Sequence, residues 1–133
     1  MSLNFCVEKI ESTDIGFSFR GFNEFRHRIA RSIGLKGVYA NTDTDMYMTL
    51  RYKEIEETHP MYTLIIHCDC DGKLWPDDCG QIGTYLKTLI PEWKKELEED
   101  PDDDELKDDV EIGDKLADLM LGCHKNNESL LFL

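Results

Sequence analysis

The densest run of side chains able to do chemistry is His67-Cys68-Asp69-Cys70-Asp71-Gly72-Lys73-Leu74-Trp75-Pro76-Asp77-Asp78. A calcium loop takes oxygen ligands at alternating positions, ends on a carboxylate that reaches the ion with both oxygens, and needs a central glycine for its sharp turn. Setting Gly72 as that glycine puts Asp69 and Asp71 on two ligand positions, the Lys73 carbonyl on a third, Leu74 on the usual apolar position and Asp78 at the end. His67 then stands where a carboxylate should open the loop, and Asp78 is shorter than the glutamate that should close it. The metal-ligand candidates are therefore His67, Asp69, Asp71 and Asp78. They would hold calcium or another divalent ion on the order of 10⁻⁴ M or more weakly, outside the range of cytosolic sensing. The same residues have a plainer use: Asp-x-Asp-Gly turns the chain through side-chain capping and a glycine at positive φ, and feeds it into the next helix. On that preferred reading no cofactor is expected.

Zinc is the rival metal, because His67, Cys68, Cys70 and Cys79 are four donors close in sequence, yet zinc ribbons and fingers use two separated ligand pairs. Cys79 also falls on the apolar stripe of a helix, where a buried thiol is ordinary. A cysteine-dependent enzyme is a further alternative: near a helix N-terminus the dipole lowers a thiol pKa, and His67 is the nearest base in sequence. Nothing marks an oxyanion hole or an orienting third residue. Cys123 and His124 read as packing residues, and there is no phosphate-cradling glycine loop or Gly-x-Ser-x-Gly elbow.

The elements that must position these residues follow from periodicity. Residues 4–10 alternate loosely, and Ile15, Phe17 and Phe19 alternate with Gly16, Ser18 and Arg20, which predicts a short hairpin-like pair. Phe22, Phe25, Ile29 and Ile33 keep helical spacing up to Gly34, a glycine placed for a left-handed C-terminal cap. Asn41–Asp45 reads as a loop, and Met46–Lys53 as a strand first and a helix second. Met61–Ile66 is continuously apolar, which leaves strand and helix open. Pro76 suits the first turn of a helix and Asp77 and Asp78 suit its dipole, so a helix begins at Trp75 or Pro76. Its stripe runs Cys79, Ile82, Leu86, Leu89, Trp93 and Leu97, with a kink or break expected near Ile90 because of Pro91. Helical spacing resumes with Leu106, Val110, Leu116, Ala117, Met120 and Leu121, with Gly122 as its stop and a short strand at 130–133.

Charge is segregated along the chain. The net charge is -13, with 41% hydrophobic and 32% charged residues. That composition folds, and that charge disfavours nucleic acid and anionic membrane surfaces, whose phosphates need cations. A basic protein is the natural partner. Residues 20–36 carry a surplus of Lys and Arg, whereas 92–118 is dominated by Asp and Glu, and the two can attract each other within the fold. Both are solvated faces on the plain reading. If the basic face instead meets a partner, Arg26, Arg28 and Arg31 are its contacts. The acidic run at 98–105 predicts a mobile connection. No apolar run reaches membrane-spanning length and no signal peptide is evident, while five unevenly spaced cysteines suit reduced thiols, so a cytoplasmic location is expected.

The stretches Phe19-Arg20-Gly21-Phe22-Asn23-Glu24-Phe25-Arg26 and His67-Cys68-Asp69-Cys70-Asp71-Gly72, followed by Pro76-Asp77-Asp78-Cys79, resemble a family of small uncharacterised bacterial and phage-associated proteins. In that family a Ser-Gly-Phe...Phe-Arg helix precedes an Asn-His-Ser-Asp-Cys-Asp-Gly...Pro-Glu-Glu-Cys segment, and the similarity spans about half of this chain. Here Arg20 stands before the glycine, Ile66 replaces the Asn, Cys68 the Ser, and Asp77 and Asp78 the two Glu. These departures flank the first ligand of any shared metal site, at Ile66 and Cys68, and alter its last, Asp78, and they leave the implied fold intact. The resemblance implies no activity.

The expectation is a single α+β domain over residues 1–133, mainly helical with about three main helices and a small β-sheet. Phe22, Phe25, Ile29, Ile82, Leu86, Leu89, Trp93, Val110 and Met120 form its core. Its expected role is a non-enzymatic intracellular interaction protein whose acidic surface takes a basic protein partner. The alternatives are a weak divalent-metal-binding domain through residues 67–78 and the cysteine-dependent enzyme.

Overall fold

A computed structural model of the chain describes residues 2–7, 16–34, 59–66 and 72–132. The elements in order are β1 (Ser2–Val7), β2 (Gly16–Ser18), α1 (Phe19–Ser32), α2 (Tyr62–Ile66), β3 (Lys73–Leu74), α3 (Pro76–Glu99), α4 (Asp104–Lys125) and β4 (Leu130–Phe132). Among the described residues the architecture is α+β and mainly helical, with one small antiparallel sheet in the order β2-β1-β4-β3. The loop expected at Asn41–Asp45 and the strand expected at Met46–Lys53 lie outside the described residues, as do His67, Cys68, Asp69, Cys70 and Asp71.

The hairpin-like pair is present: the first half of β1 pairs with β2, from Ser2 opposite Ser18 to Asn4 opposite Gly16. The second half of β1 pairs with β4, from Phe5 opposite Phe132 to Val7 opposite Leu130. On its other side β4 takes β3, Lys73 opposite Leu131 and Leu74 opposite Leu130. The last described strand therefore sits between the first strand and the short strand that leads into α3.

Helices α3 and α4 form a long antiparallel hairpin. Ile90 comes within 3.0 Å of where a Cβ on Gly113 would stand, and a Cβ on Gly83 would lie 3.1 Å from the Ala117 carbonyl oxygen, so small residues let the backbones close. Helix α1 packs on this pair through Phe25, whose ring meets Trp93 edge to face at 5.8 Å. The Trp93 indole donates to the Ser32 hydroxyl at 2.9 Å, which satisfies its one polar atom at the core boundary. All nine expected core residues are buried.

Three boundaries differ from expectation. Helix α3 runs through Pro91 without the break, one of the two outcomes expected near Ile90. Pro91 is exposed, so the hydrogen bond its ring denies to the Lys87 carbonyl is lost on the solvent side, while buried Ile90 and Trp93 hold the turns around it. Gly122 does not stop α4, which continues to Lys125. Termination comes at Asn127, φ +55°, where Asn127 N donates to the His124 carbonyl and Glu128 N to the Cys123 carbonyl. That is a Schellman closure with asparagine in the left-handed position. The acidic connection expected over 98–105 shrinks to a tight turn between Glu99 and Asp104. Asp100 N donates to the Glu96 carbonyl and Asp103 N to the Asp100 carbonyl, so backbone closure offsets the repulsion of the run.

Candidate functional site

The two ends of the α3–α4 hairpin differ in kind. At the tip, Glu96, Glu98, Glu99, Asp100, Asp102, Asp104, Glu105 and Asp108 are all exposed. Asp103 caps α4 by accepting from Leu106 N at 3.1 Å, and Asp104 and Glu105 occupy the positive end of that helix, where acids belong. The last turn of α3 has no basic residue and carries Glu96, Glu98 and Glu99 at a helix end that is already negative. Folding alone would not select that arrangement.

Below the tip the charges are used internally. Lys87 meets Asp114 at 2.8 Å and Asp118 at 2.7 Å, which raises the Lys87 pKa and lowers that of Asp114. Arg28 of α1 pairs with Asp109 of α4, so the basic and acidic segments do attract each other within the fold. Burial first, with the nearby carboxylates of Glu105 and Asp108, holds the Asp109 carboxyl above its ordinary value despite Arg28.

Of the basic-face candidates, Arg28 is thus engaged by Asp109 and Arg31 is exposed. Arg26 has to be corrected: it is 0% exposed and cannot meet a partner at the surface. Its guanidinium lies 4.4 Å from the centroid of the Phe22 ring and donates to the Ile65 carbonyl at 3.3 Å. That carbonyl lies in the last turn of α2, so Arg26 caps the short helix from inside the core.

For the 67–78 loop, the described part has the frame of a helix, a turn and a helix. Helix α2 ends at Ile66, Gly72 has φ +100°, β3 covers Lys73 and Leu74, and Asp78 stands in the first turn of α3. Leu74 is buried, as the apolar loop position requires. Gly72 turns the chain as expected, although it feeds β3 before the helix. Helix α3 starts with Trp75 as N-cap and Pro76 at its first position. Among the described residues, no group of three or more His, Cys, Asp or Glu is placed to hold a metal ion.

Cys79 is fully buried, with its sulfur 3.7 Å from the Leu74 carbonyl oxygen. A hydrogen bond with the Cys123 thiol, together with burial, pushes its pKa well above the usual thiol range, which outweighs the helix dipole. A protonated, enclosed thiol is the reverse of what a nucleophile requires. Cys123 is buried as expected, whereas His124 is exposed, its Nδ1 3.0 Å from the Pro76 carbonyl oxygen.

Sequence reasoning missed a shallow groove of about 540 Å³ along α3, lined by Pro60, Asp77, Gly80, Gln81, Thr84, Tyr85, Thr88 and His124. Its signal was available: Gly80, Thr84 and Thr88 repeat every four residues off the apolar stripe. Beside the turn at Gly72, Trp75 is 58% exposed with the Lys73 ammonium 4.1 Å from its ring centroid. No helix among the described residues is long and apolar enough to cross a membrane. No family model, no curated protein and no solved structure matches the chain.

Proposed function

We propose that the chain is a non-enzymatic, cytoplasmic interaction protein whose acidic α3–α4 tip docks a basic protein. The observation that carries this reading is the set of exposed acids around the turn, including three glutamates on the unfavourable end of α3. Charges that weaken their own helix are explained when a cationic surface neutralises them. Such a field also steers encounter with a basic partner and repels nucleic acid and anionic lipid. An immunity protein or antitoxin that blocks a basic toxin is one form this takes, and a phage-encoded modulator is another, in keeping with the resemblance to small bacterial and phage-associated proteins. The test is capture from host lysate on the immobilised chain, compared with the variant Glu98→Gln/Glu99→Gln/Asp102→Asn. A basic protein bound at low salt should be retained at least about tenfold less by the variant, while the far-ultraviolet spectrum is unchanged. Equal retention by the variant, or no partner at low salt, removes the proposal.

A second reading rests on the helix, turn and helix around Gly72. On it, His67, Asp69, Asp71 and Asp78 hold calcium at a dissociation constant of about 10⁻⁴ M or weaker. Calorimetric titration with calcium should then give a weak isotherm that Asp78→Asn abolishes, and absence of heat at millimolar calcium would leave the turn with a structural role.

A further inference from the structure

We propose that Cys79 and Cys123 form a disulfide across the open end of the α3–α4 hairpin, a latch placed at the end remote from the acidic tip. The facing pairs along the hairpin fix the register. Lys87 meets Asp114 and Asp118, Gly83 faces Ala117 and Leu121, and Gly80 faces His124. Cys79 and Cys123 adjoin the Gly80–His124 contact, one on each helix, and both side chains are buried there with their thiols interacting. Both are reduced thiols within the buried core. Gly80 makes room for the His124 ring against α3: a Cβ on it would lie 2.6 Å from that ring.

The chemistry is a two-electron exchange with a small disulfide such as oxidised glutathione. Once the α4 end opens, the Cys123 thiol loses its proton, its thiolate attacks one sulfur of the oxidant, and the other sulfur leaves as a thiolate that takes up a proton. Cys79 then gives up its proton and attacks the Cys123 sulfur of the mixed disulfide, which expels the second reduced thiol. Two protein thiols and one small disulfide become one protein disulfide and two small thiols. Because both sulfurs are enclosed, exchange waits on local opening of the α4 end and β4, so the bond forms slowly and is then shielded from reductant. The link joins the start of α3, next to β3, to the end of α4, next to β4, and so clamps the sheet and the helices together.

The experiment is incubation of the folded, full-length protein with oxidised glutathione, followed by intact mass, alkylation under denaturing conditions and peptide mapping. The expected result is a loss of about 2 Da, a Cys79–Cys123 linked peptide reversed by dithiothreitol, and a rise in Tm of about 10 °C. Cys123→Ala and, separately, Cys79→Ala should abolish both the linked peptide and the rise. The map of the unaltered protein stands apart from whether those variants fold: oxidation confined to Cys6, Cys68 or Cys70, with Cys79 and Cys123 still alkylated, overturns the proposal.

Discussion

The open end of the α3–α4 hairpin and its tip are built on opposite terms. At the open end Cys79, Ile82, Cys123 and Leu130 are enclosed where helices and sheet meet, Gly83 lets the backbones approach and Gly80 makes room for the His124 ring. A helix of 24 residues runs about 36 Å, and at its far end the surface is carboxylate, held in place by one cap and two turn hydrogen bonds. Apolar packing runs from the open end up α3 as far as Trp93, and the exposed charge is gathered beyond it. Substitutions that alter the recognition surface should therefore leave the fold nearly untouched, and substitutions in the packed region should unfold the chain without changing its charge.

The sharpest break of that contrast is Trp93→Ala, which removes the ring against Phe25 and the bond to Ser32. It should cost about 3–5 kcal/mol in denaturant unfolding, against about 0.5 kcal/mol or less for exposed tip acids such as Glu98→Gln. Next come two glycines in the same hairpin. Gly83→Ala brings a methyl group against the Ala117 carbonyl oxygen and the Leu121 side chain and should destabilise by about 1–2 kcal/mol. Gly122→Ala meets nothing within 4 Å in a helical position and should stabilise by about 0.5–1 kcal/mol. At the tip, Asp103→Ala removes the cap on Leu106 N and should cost about 1 kcal/mol, the one acid there with a marked structural role.

The smallest effect belongs to Lys87, whose pair with Asp114 and Asp118 is partly exposed and screened. The Asp114 carboxyl lies below its ordinary 3.8, so its contribution is complete above that value and is lost as pH falls through the folded value. Lys87 lies above its ordinary 10.5, so its contribution is complete below that value and is lost as pH rises through the folded value. The Tm difference between the unaltered chain and Lys87→Met should be flat between these limits and shrink toward zero outside them.

What could be seen in the sequence followed the strength of the periodic signal. Phe22, Phe25 and Ile29, and Ile82, Leu86, Leu89 and Trp93, repeat with helical spacing over several turns, and every one is buried. Arg26 shows the converse: it stands four residues after Phe22 and three before Ile29, on the buried stripe, and reading its charge instead of its position put it on the surface. Gly122 misled because a glycine can end a helix or merely sit in one, and the actual stop depends on the φ of Asn127, which composition does not reveal. The tight turn at Asp100–Asp103 was hidden by its charge, since backbone and cap hydrogen bonds leave little mark in an acidic run. The pairing of Cys79 with Cys123 needed the hairpin register, which only the folded helices supply.

The most direct test of the acidic tip as the recognition surface is the association rate of the captured partner measured against ionic strength. The account predicts a rate that falls steeply between about 20 and 300 mM salt, and a flattened slope for Glu98→Gln/Glu99→Gln/Asp102→Asn at unchanged stability. A rate indifferent to salt, or the same slope for both proteins, would contradict it.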